Sequence, residues 1–319
     1  MVIEHLSITG GKNGVVGRRG ASFTVLHSTI QNSIGPLSDG NGIKVHQNSQ
    51  ALIHGNLIEG HPVSGINVTA GGNVTITANT IQKNNDTGIL VFNSGSVRIG
   101  LTEEETEAGN VIEQNCFDGI VIHDASSGVL YGNTVQHNGI AGGICVGEGI
   151  FVGRNSSLRM VGLNKIRFNG LGILLRDAHL RTGRGSFGIT PNTEEISNNF
   201  STGILAEDNS TLDLREGTAV ANNAPGFGLL LQHGARAQMR GTTVSGNAAS
   251  GILLQFASSV RFRTPLNTLS ENGAFGLQCV DGESSFIGPF PPPPFIGGGN
   301  PSGDVSPAVQ SCSCPRGRA

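Results

Sequence analysis

Apolar and polar residues alternate in short runs along this chain, and the runs recur at a nearly constant spacing. In Gly65-Ile-Asn-Val68, two apolar residues flank a polar one, as in a half-buried strand. Two more short apolar segments follow, around Val74-Thr-Ile76 and Ile81, separated by turns rich in Gly and Asn. Three short strands and three turns form a unit that then repeats. This pattern predicts one coil of a parallel β-helix.

The start of each copy is marked by Gly-Ile or a close variant. The steps from Gly42 to Gly65 and Gly88 are both 23 residues. A repeat of this length is typical of a solenoid, in which each copy buries its apolar face against its neighbours. The marked copies begin at Gly42, Gly65, Gly88, Gly119, Gly143, Gly172, Gly203, Gly228, Gly251 and Gly276, and Gly14 is a degenerate start.

Two sets of residues are predicted to hold the coils together. The apolar pairs after each glycine should point inward and stack, at about 4.8 Å per coil. Asparagines should line up and hydrogen-bond from coil to coil, because Asn also tolerates the left-handed backbone of a sharp turn. The predicted inward pairs are Ile43/Val45, Ile66/Val68, Ile89/Val91, Ile120/Ile122, Ile144/Val146, Ile173/Leu175 and Ile252/Leu254. The predicted asparagine lines are Asn56, Asn79, Asn110, Asn133, Asn164, Asn267 and, five residues later, Asn84, Asn115, Asn138, Asn169, Asn272.

The Asn-x-Ile…Gly-Ile-x-Val coil resembles the right-handed parallel β-helix repeat of the pectate-lyase-like superfamily. The resemblance covers roughly residues 3–288 and implies an all-β, right-handed parallel β-helix solenoid of about 10–11 coils of 22–25 residues, with three longer coils. Residues 1–288 are predicted to form this solenoid, and residues 289–319 a disordered Pro/Gly-rich tail. The superfamily includes lyases, glycoside hydrolases, C5-epimerases, tailspikes and adhesins, so the resemblance implies a fold more than an activity.

Composition narrows the partners and the compartment. The net charge is −3 and the chain has no basic run, which argues against nucleic acid as a partner. The sequence contains no run of 18 apolar residues, so no membrane span is predicted. Five cysteines do not indicate a disulfide framework, and Cys312 and Cys314 are predicted neither to bind metal nor to oxidise. The first ten residues lack signal-peptide features. No amphipathic capping helix precedes the first strand-like residues, although a solenoid needs a polar cap at each end. We therefore expect an upstream signal peptide and first coils to be missing, the alternative being a partner that covers this end.

The residues four and five positions after each glycine are the first candidate site. Over four predicted successive coils the fifth position is acidic, and in register these carboxylates would repel by roughly 3–4 kcal/mol per pair at an effective dielectric near 20. Ca²⁺, the guanidinium of Arg176, or splaying of the side chains into water would relieve this repulsion. The predicted metal ligands are Asp124, Glu148, Asp177 and Asp208, and the predicted ligand-binding residues are these with Glu207.

Such a group suits chemistry on a uronic-acid polymer. Abstraction of the proton α to a carboxylate needs a base and a cation, and His123 or Arg176 is the candidate base. Ile122-His-Asp-Ala125 resembles the His-Asp motif of alginate C5-epimerases, but the preceding Asp-Pro is absent, and so are the polygalacturonase motifs. A solvated polar edge without catalytic function explains the same residues.

The second candidate site lies two positions after each glycine, where side chains should face outward. This position is apolar through the middle of the chain, a stripe larger than a monomer normally exposes. Either the chain's own loops or a second copy should cover it. The predicted interface residues are Leu90, Val121, Leu174, Leu205, Leu230 and Leu253, with Cys145 in the same column.

These patterns favour a secreted or cell-surface β-helix that serves as a binding or structural module. Its predicted partner is a polysaccharide or other copies of itself. The alternative is a Ca²⁺-dependent lyase or C5-epimerase that acts on a uronic-acid polymer. The chain has no Trp and a single tyrosine, Tyr131, which argues against tight stacking of sugar rings.

Overall fold

The computed structural model describes residues 1–36, 39–100, 109–140, 145–183, 193–288 and 295–306. Over these residues the chain is built from short strands and turns, with about 11 turns of parallel solenoid in total. It divides into two compact units, Met1–Gly170 (unit 1) and Leu171–Ala319 (unit 2). The described residues include no helix with the length and apolarity to cross a membrane. The predicted all-β parallel β-helix is confirmed.

Unit 1 consists of repeated triplets of strands, each paired in parallel with its equivalent one coil away. Its strands are β1 (Val2–Glu4), β2 (Ser7–Thr9), β3 (Val15–Gly17), β4 (Ser22–Leu26), β5 (Thr29–Gln31), β6 (Ile43–Val45), β7 (Gln50–His54), β8 (Leu57–Glu59), β9 (Ile66–Thr69), β10 (Asn73–Thr77), β11 (Thr80–Gln82), β12 (Ile89–Phe92), β13 (Ser96–Gly100), β14 (Val111–Glu113), β15 (Ile120–Ile122), β16 (Ser127–Tyr131), β17 (Thr134–Gln136), β18 (Glu148–Met160) and β19 (Lys165–Arg167).

Unit 2 repeats the same plan. Its strands are β20 (Leu171–Arg181), β21 (Glu194–Ser197), β22 (Ile204–Glu207), β23 (Thr211–Leu214), β24 (Thr218–Ala221), β25 (Leu229–Leu231), β26 (Arg236–Arg240), β27 (Thr243–Ser245), β28 (Ile252–Leu254), β29 (Ser259–Arg263), β30 (Asn267–Ser270), β31 (Phe275–Cys279), β32 (Ser285–Ile287), β33 (Phe295–Gly298) and β34 (Gly303–Val305).

The predicted inward residues form the core, with one shift of phase. Ile66 pairs with Ile89, and Ile89 pairs with Ile120, and all three side chains are fully buried. The next partner of Ile120 is Ile150, not Ile144. Gly149 therefore begins this coil, and the predicted start at Gly143 is wrong.

The predicted asparagine lines are hydrogen-bonded ladders. Nδ2 of Asn79 donates to Oδ1 of Asn110 at 3.0 Å, and Nδ2 of Asn110 donates to Oδ1 of Asn133 at 2.9 Å. In unit 2, an unpredicted line continues the second ladder's pattern through Asn223 and Asn247. Each amide also bonds backbone groups of an adjacent coil, so the buried polar groups of the turns are satisfied.

The glycine before each first strand is required by close approach between coils. A Cβ on Gly88 would lie 2.7 Å from the carbonyl oxygen of Gly119 and 2.8 Å from Nδ2 of Asn115. Neither atom can move without breaking a ladder contact. The repeat therefore needs glycine at this position partly because the ladder asparagine of the next coil packs against it.

The solenoid continues beyond the boundary predicted at residue 288. β33 pairs with β30 and β34 pairs with β31, so residues 295–306 belong to the stack and not to a disordered tail. Asn300 extends the ladder by accepting from Nδ2 of Asn272 at 3.2 Å. Cys312 and Cys314 lie outside the described residues.

Candidate functional site

The fifth position after each glycine lies at a corner of the coil. Asp124, Asp177 and Asp208 have φ values of 55°, 50° and 54°, in the left-handed region. Asp and Asn adopt this conformation at lower cost than most residues. The backbone of the corner therefore accounts for part of the acidic preference.

In unit 1 this corner holds a histidine and carboxylate pair. Nδ1 of His123 lies 2.9 Å from Oδ2 of Asp124, and the ring stacks on Phe92 with a centroid distance of 5.6 Å. On the next coil, Nη1 of Arg154 lies 3.2 Å from Oδ1 of Asp124. Burial lowers the pKa of His123, although the Asp124 carboxylate opposes this. A neutral imidazole that donates from Nδ1 to Asp124 leaves Nε2 as an acceptor.

Glu148 does not belong to this corner. Because Gly149 starts the coil, the neighbour of Asp124 in register is Arg154, a cation, and the predicted acidic column is wrong at this point. Glu148 lies instead beside Asp118, whose Oδ1 accepts the Glu148 backbone N–H at 2.8 Å. The sequence interpretation missed this pair because it placed Glu148 one strand too far along.

Asp118 and Glu148 form a close carboxyl pair, and a side-chain hydrogen bond links the two groups. Burial, followed by a side-chain hydrogen bond and charge repulsion from Glu148, raises the pKa of Asp118 from 3.8 to about 8. Burial also raises the pKa of Asp86 on the preceding coil, and the Asp118 charge adds to this. The Asp118 carboxyl therefore stays largely protonated at neutral pH.

A disulfide joins two cysteines that lie within three residues of these carboxyls in the sequence. Cys116 and Cys145 are bonded, with their Cα atoms 4.9 Å apart. Cys279 is disulfide-bonded as well. The expectation that the cysteines form no disulfide framework was wrong for Cys116 and Cys145, because the coil stacking brings together residues 29 positions apart that no local spacing motif connects.

In unit 2, the side chains at this corner are hydrogen-bonded to one another across successive coils. Arg176 bonds the Glu207 carboxylate through Nε at 2.7 Å and through Nη2, and Gln232 donates to Oε2 of Glu207 at 2.7 Å. Gln255 in turn donates to Gln232 at 2.6 Å. Burial alone would raise the pKa of Glu207, but the bonds from Gln232 and Arg176 outweigh it and the pKa is lowered.

The other predicted carboxylates of unit 2 are more exposed. Oδ2 of Asp208 lies 3.8 Å from Nε of Arg176, and Oδ1 lies 4.0 Å from Nδ1 of His233, while Asp177 is exposed. In the part of the chain that the structure describes, no three His, Cys, Asp or Glu side chains converge as a metal site would require. The described carboxylates therefore do not fit the predicted Ca²⁺ site.

The predicted apolar stripe is largely covered within the chain. Val121, Leu174 and Leu253 are more than nine-tenths buried, and Leu90, Leu205 and Leu230 are partly buried. Phe151, and not Cys145, occupies the position beside Val121. A role of these residues in self-association stays a prediction.

A polar surface on unit 1 was not predicted. We define the polar face as the outward side chains of β4, β7, β10, β13, β16 and the second half of β18. Its first column is polar and uncharged in every coil: Ser22, Gln50, Asn73, Ser96, Ser127 and Ser157. A concavity of about 280 Å³ lies over its first three coils, beside Thr24, Leu52 and Thr75. The signal in the sequence was this column, eight residues after each glycine, whereas the sequence prediction considered only positions up to the fifth.

The comparisons with known proteins agree on the fold. Residues 1–100 match a family model described as right handed beta helix region. The Azotobacter vinelandii mannuronan C-5 epimerase AlgE6 A-module has a TM-score of 0.61 at 16% identity, over 96% of this chain and 81% of that chain. A mutant of the periplasmic alginate epimerase AlgG has a TM-score of 0.60 at 13% identity, over 95% and 76%. No curated protein sequence matches the chain. At these identities the likeness shows a shared right-handed β-helix and nothing finer.

Proposed function

We propose that this protein is a β-helical polysaccharide-binding module and that the polar face of unit 1 is its binding surface. The observation that carries the proposal is the concavity lined by Gln50, Asn73, Thr24 and Thr75, whose side chains both donate and accept hydrogen bonds. Sugar hydroxyls have the same dual character. The two epimerases of similar fold are named for alginate and mannuronan, both polysaccharides, which supports this ligand class.

The dimensions of the surface favour a linear glycan over a small ligand. The volume of the concavity is just below the range of about 300–1,000 Å³ that is usual for ligand clefts. Beyond the concavity, the polar column continues over further coils at about 4.8 Å per coil. A linear glycan lying along the column would meet a new polar side chain at every step. Since no Trp is present and recognition would rest on hydrogen bonds, we expect modest affinity.

The proposed location is outside the cytoplasm. Disulfides persist in oxidising compartments and are rare in reducing ones. The Cys116–Cys145 bond therefore supports the prediction of a secreted or cell-surface protein.

The test measures oligosaccharide binding by calorimetric titration, after a glycan array has selected a ligand. Gln50→Ala with Asn73→Ala removes two hydrogen-bonding side chains and should raise Kd by about tenfold. Thr80→Ala is the matched control, since Thr80 is a partly exposed residue of the same coil on the other sheet. Equal affinity of the double variant and the wild type, or no binding to any glycan, would refute the proposal.

The His123–Asp124 pair supports a second candidate function, a uronan lyase or C5-epimerase with His123 as the base. Arg176 is a weaker candidate base, because its guanidinium stays charged and is held by Glu207. Alginate and pectate would be incubated with the wild type and His123→Ala, with and without EDTA. If the wild type yields neither unsaturated product nor epimerised sugar, the enzymatic candidate is eliminated.

A further inference from the structure

Two arginines on the polar face lie two coils apart in the same column. Arg98 on β13 pairs in register with Val129 on β16, and Val129 pairs with Arg159 on β18. Two steps between parallel strands separate the two Cα atoms by about 10 Å. All three side chains point outward, and Val129 between them is 37% exposed.

Neither guanidinium has an anionic partner among the residues that the structure describes. Of the carboxylates that the structure describes, none lies within ion-pair distance of Arg98 or Arg159. Arg154, by contrast, is paired with Asp124. Nε of Arg159 is buried and makes no hydrogen bond. A buried N–H without an acceptor costs about 1–3 kcal/mol, so the described residues do not stabilise the Arg159 guanidinium at Nε.

Hydroxyl groups run alongside the two arginines. Ser96, Ser127 and Ser157 are in register on the same three strands, and Oγ of Ser127 donates to Oγ of Ser96 at 3.4 Å. The strip thus combines two guanidinium groups with three hydroxyls over adjacent coils. It is cationic on a chain whose net charge is −3, so the positive charge is local to this surface.

We propose that Arg98 and Arg159, with the serine column beside them, bind the anionic groups of an acidic polysaccharide. The inference rests on the proposed function and adds the charge of the ligand. The planar guanidinium presents forked N–H donors that match carboxylate and sulfate oxygens. The serine hydroxyls hydrogen-bond the neutral hydroxyls of the same sugars, while the apolar side chain of Val129 contacts the sugar ring between the two charges.

The test compares oligogalacturonates with the same oligomers after methyl esterification, which removes the charge and keeps the backbone. The wild type should bind the charged form more tightly, and added salt should weaken that preference. Arg98→Gln with Arg159→Gln should raise Kd for the charged oligomer by about tenfold and leave the esterified oligomer unaffected. Arg261→Gln is the matched control, because Arg261 is an exposed outward arginine on β29 of unit 2. Dextran sulfate against dextran repeats the comparison for sulfate.

The outcomes separate this inference from the proposed function. If the esterified oligomer binds as tightly as the charged one and the arginine variant behaves like the wild type, the inference is overturned while polysaccharide binding stands. If neither oligomer nor any other glycan binds, both fail. Unchanged melting temperatures establish that the variants are folded.

Discussion

The carboxyl pair of unit 1 makes a direct prediction about stability and pH. Asp118→Asn replaces the protonated partner with a neutral amide of the same shape. Its oxygen can still accept the Glu148 backbone N–H, which lies 2.8 Å from Oδ1 of Asp118, and its NH₂ can donate to the Glu148 carboxylate. The variant therefore keeps the contact and removes its dependence on a proton.

The direction of the change in stability with pH follows from the raised pKa of Asp118, which is about 8 in the folded chain against 3.8 in the unfolded chain. The folded chain binds this proton more tightly, so its stabilising effect is complete below pH 3.8 and is lost as the pH rises towards 8. Each pKa unit corresponds to about 1.4 kcal/mol. Because Asp118 stays partly exposed and water screens the charge, we expect a loss on the order of 2 kcal/mol between pH 5 and pH 8. The raised pKa of Asp86 acts in the same direction.

The assay is thermal and denaturant unfolding of the wild type and Asp118→Asn at pH 5, 6.5 and 8. At pH 8 the variant should be the more stable by about 2 kcal/mol, or about 4–8 °C in melting temperature, and at pH 5 the two should coincide. Asp177→Asn is the control, since Asp177 is exposed at a corner that Asn also tolerates. If the difference between Asp118→Asn and the wild type is the same at every pH, the pKa of Asp118 is not raised in the folded chain and the reasoning is wrong.

Two further predictions concern the scaffold. Asn79 donates to the carbonyls of two backbone residues and to Asn110, and accepts from Asn56, so Asn79→Ala should cost about 3–5 kcal/mol. The exposed Asn85→Ala should change the unfolding free energy by less than about 0.5 kcal/mol, and equal losses in chemical denaturation would contradict the ladder. Peptide mapping without reductant should recover Cys116 linked to Cys145, and replacing both by Ser should cost about 2–4 kcal/mol; two free thiols in the map would contradict the disulfide.

Most of the fold could be predicted from the sequence because every coil solves the same packing problem. Ile66 and Val68 face inward for the same reason as Ile89 and Val91, and all four are fully buried. The asparagine ladder was predictable for a related reason, since Asn is suited both to the left-handed turn and to bonding its equivalent one coil away. Repetition thus turns weak local signals into a strong one.

The phase of the repeat failed where the chain offers two equivalent motifs. Gly143-Ile-Cys-Val146 and Gly149-Ile-Phe-Val152 both fit the pattern, and the first was chosen. The structure uses the second, since Ile150 and Val152 are fully buried and Val146 is 76% exposed. The sequence does distinguish the two starts. Ser156 lies seven residues after Gly149, as Ser49 and Ser126 lie seven residues after their glycines, whereas the residue seven after Gly143 is Ile150.

That shift of phase explains why the candidate site was predicted less well than the fold. The phase error kept the packing scheme, because Ile150 and Val152 fill the inward positions predicted for Ile144 and Val146, but it gave the outward side chains different neighbours. Glu148 moved from a column of carboxylates to a pair with Asp118, and Arg154 took its place beside Asp124. Pairings such as Arg176 with Glu207 also depend on side-chain rotamers, which periodicity does not specify.

The division of roles within a coil bears on where recognition should be sought. Inward and ladder positions are fixed by packing, since a changed residue there breaks contacts with two neighbouring coils. Outward positions have no such restriction, so a column that stays of one chemical type over several coils needs another cause. Part of the acidic corner has a backbone cause, the left-handed conformation shared by Asp124 and Asp208. The serines at 96, 127 and 157 have extended backbones that accept many residue types, and Arg98 and Arg159 beside them have no partner within the described chain. The polar face is therefore the surface whose composition the fold explains least and ligand binding explains best.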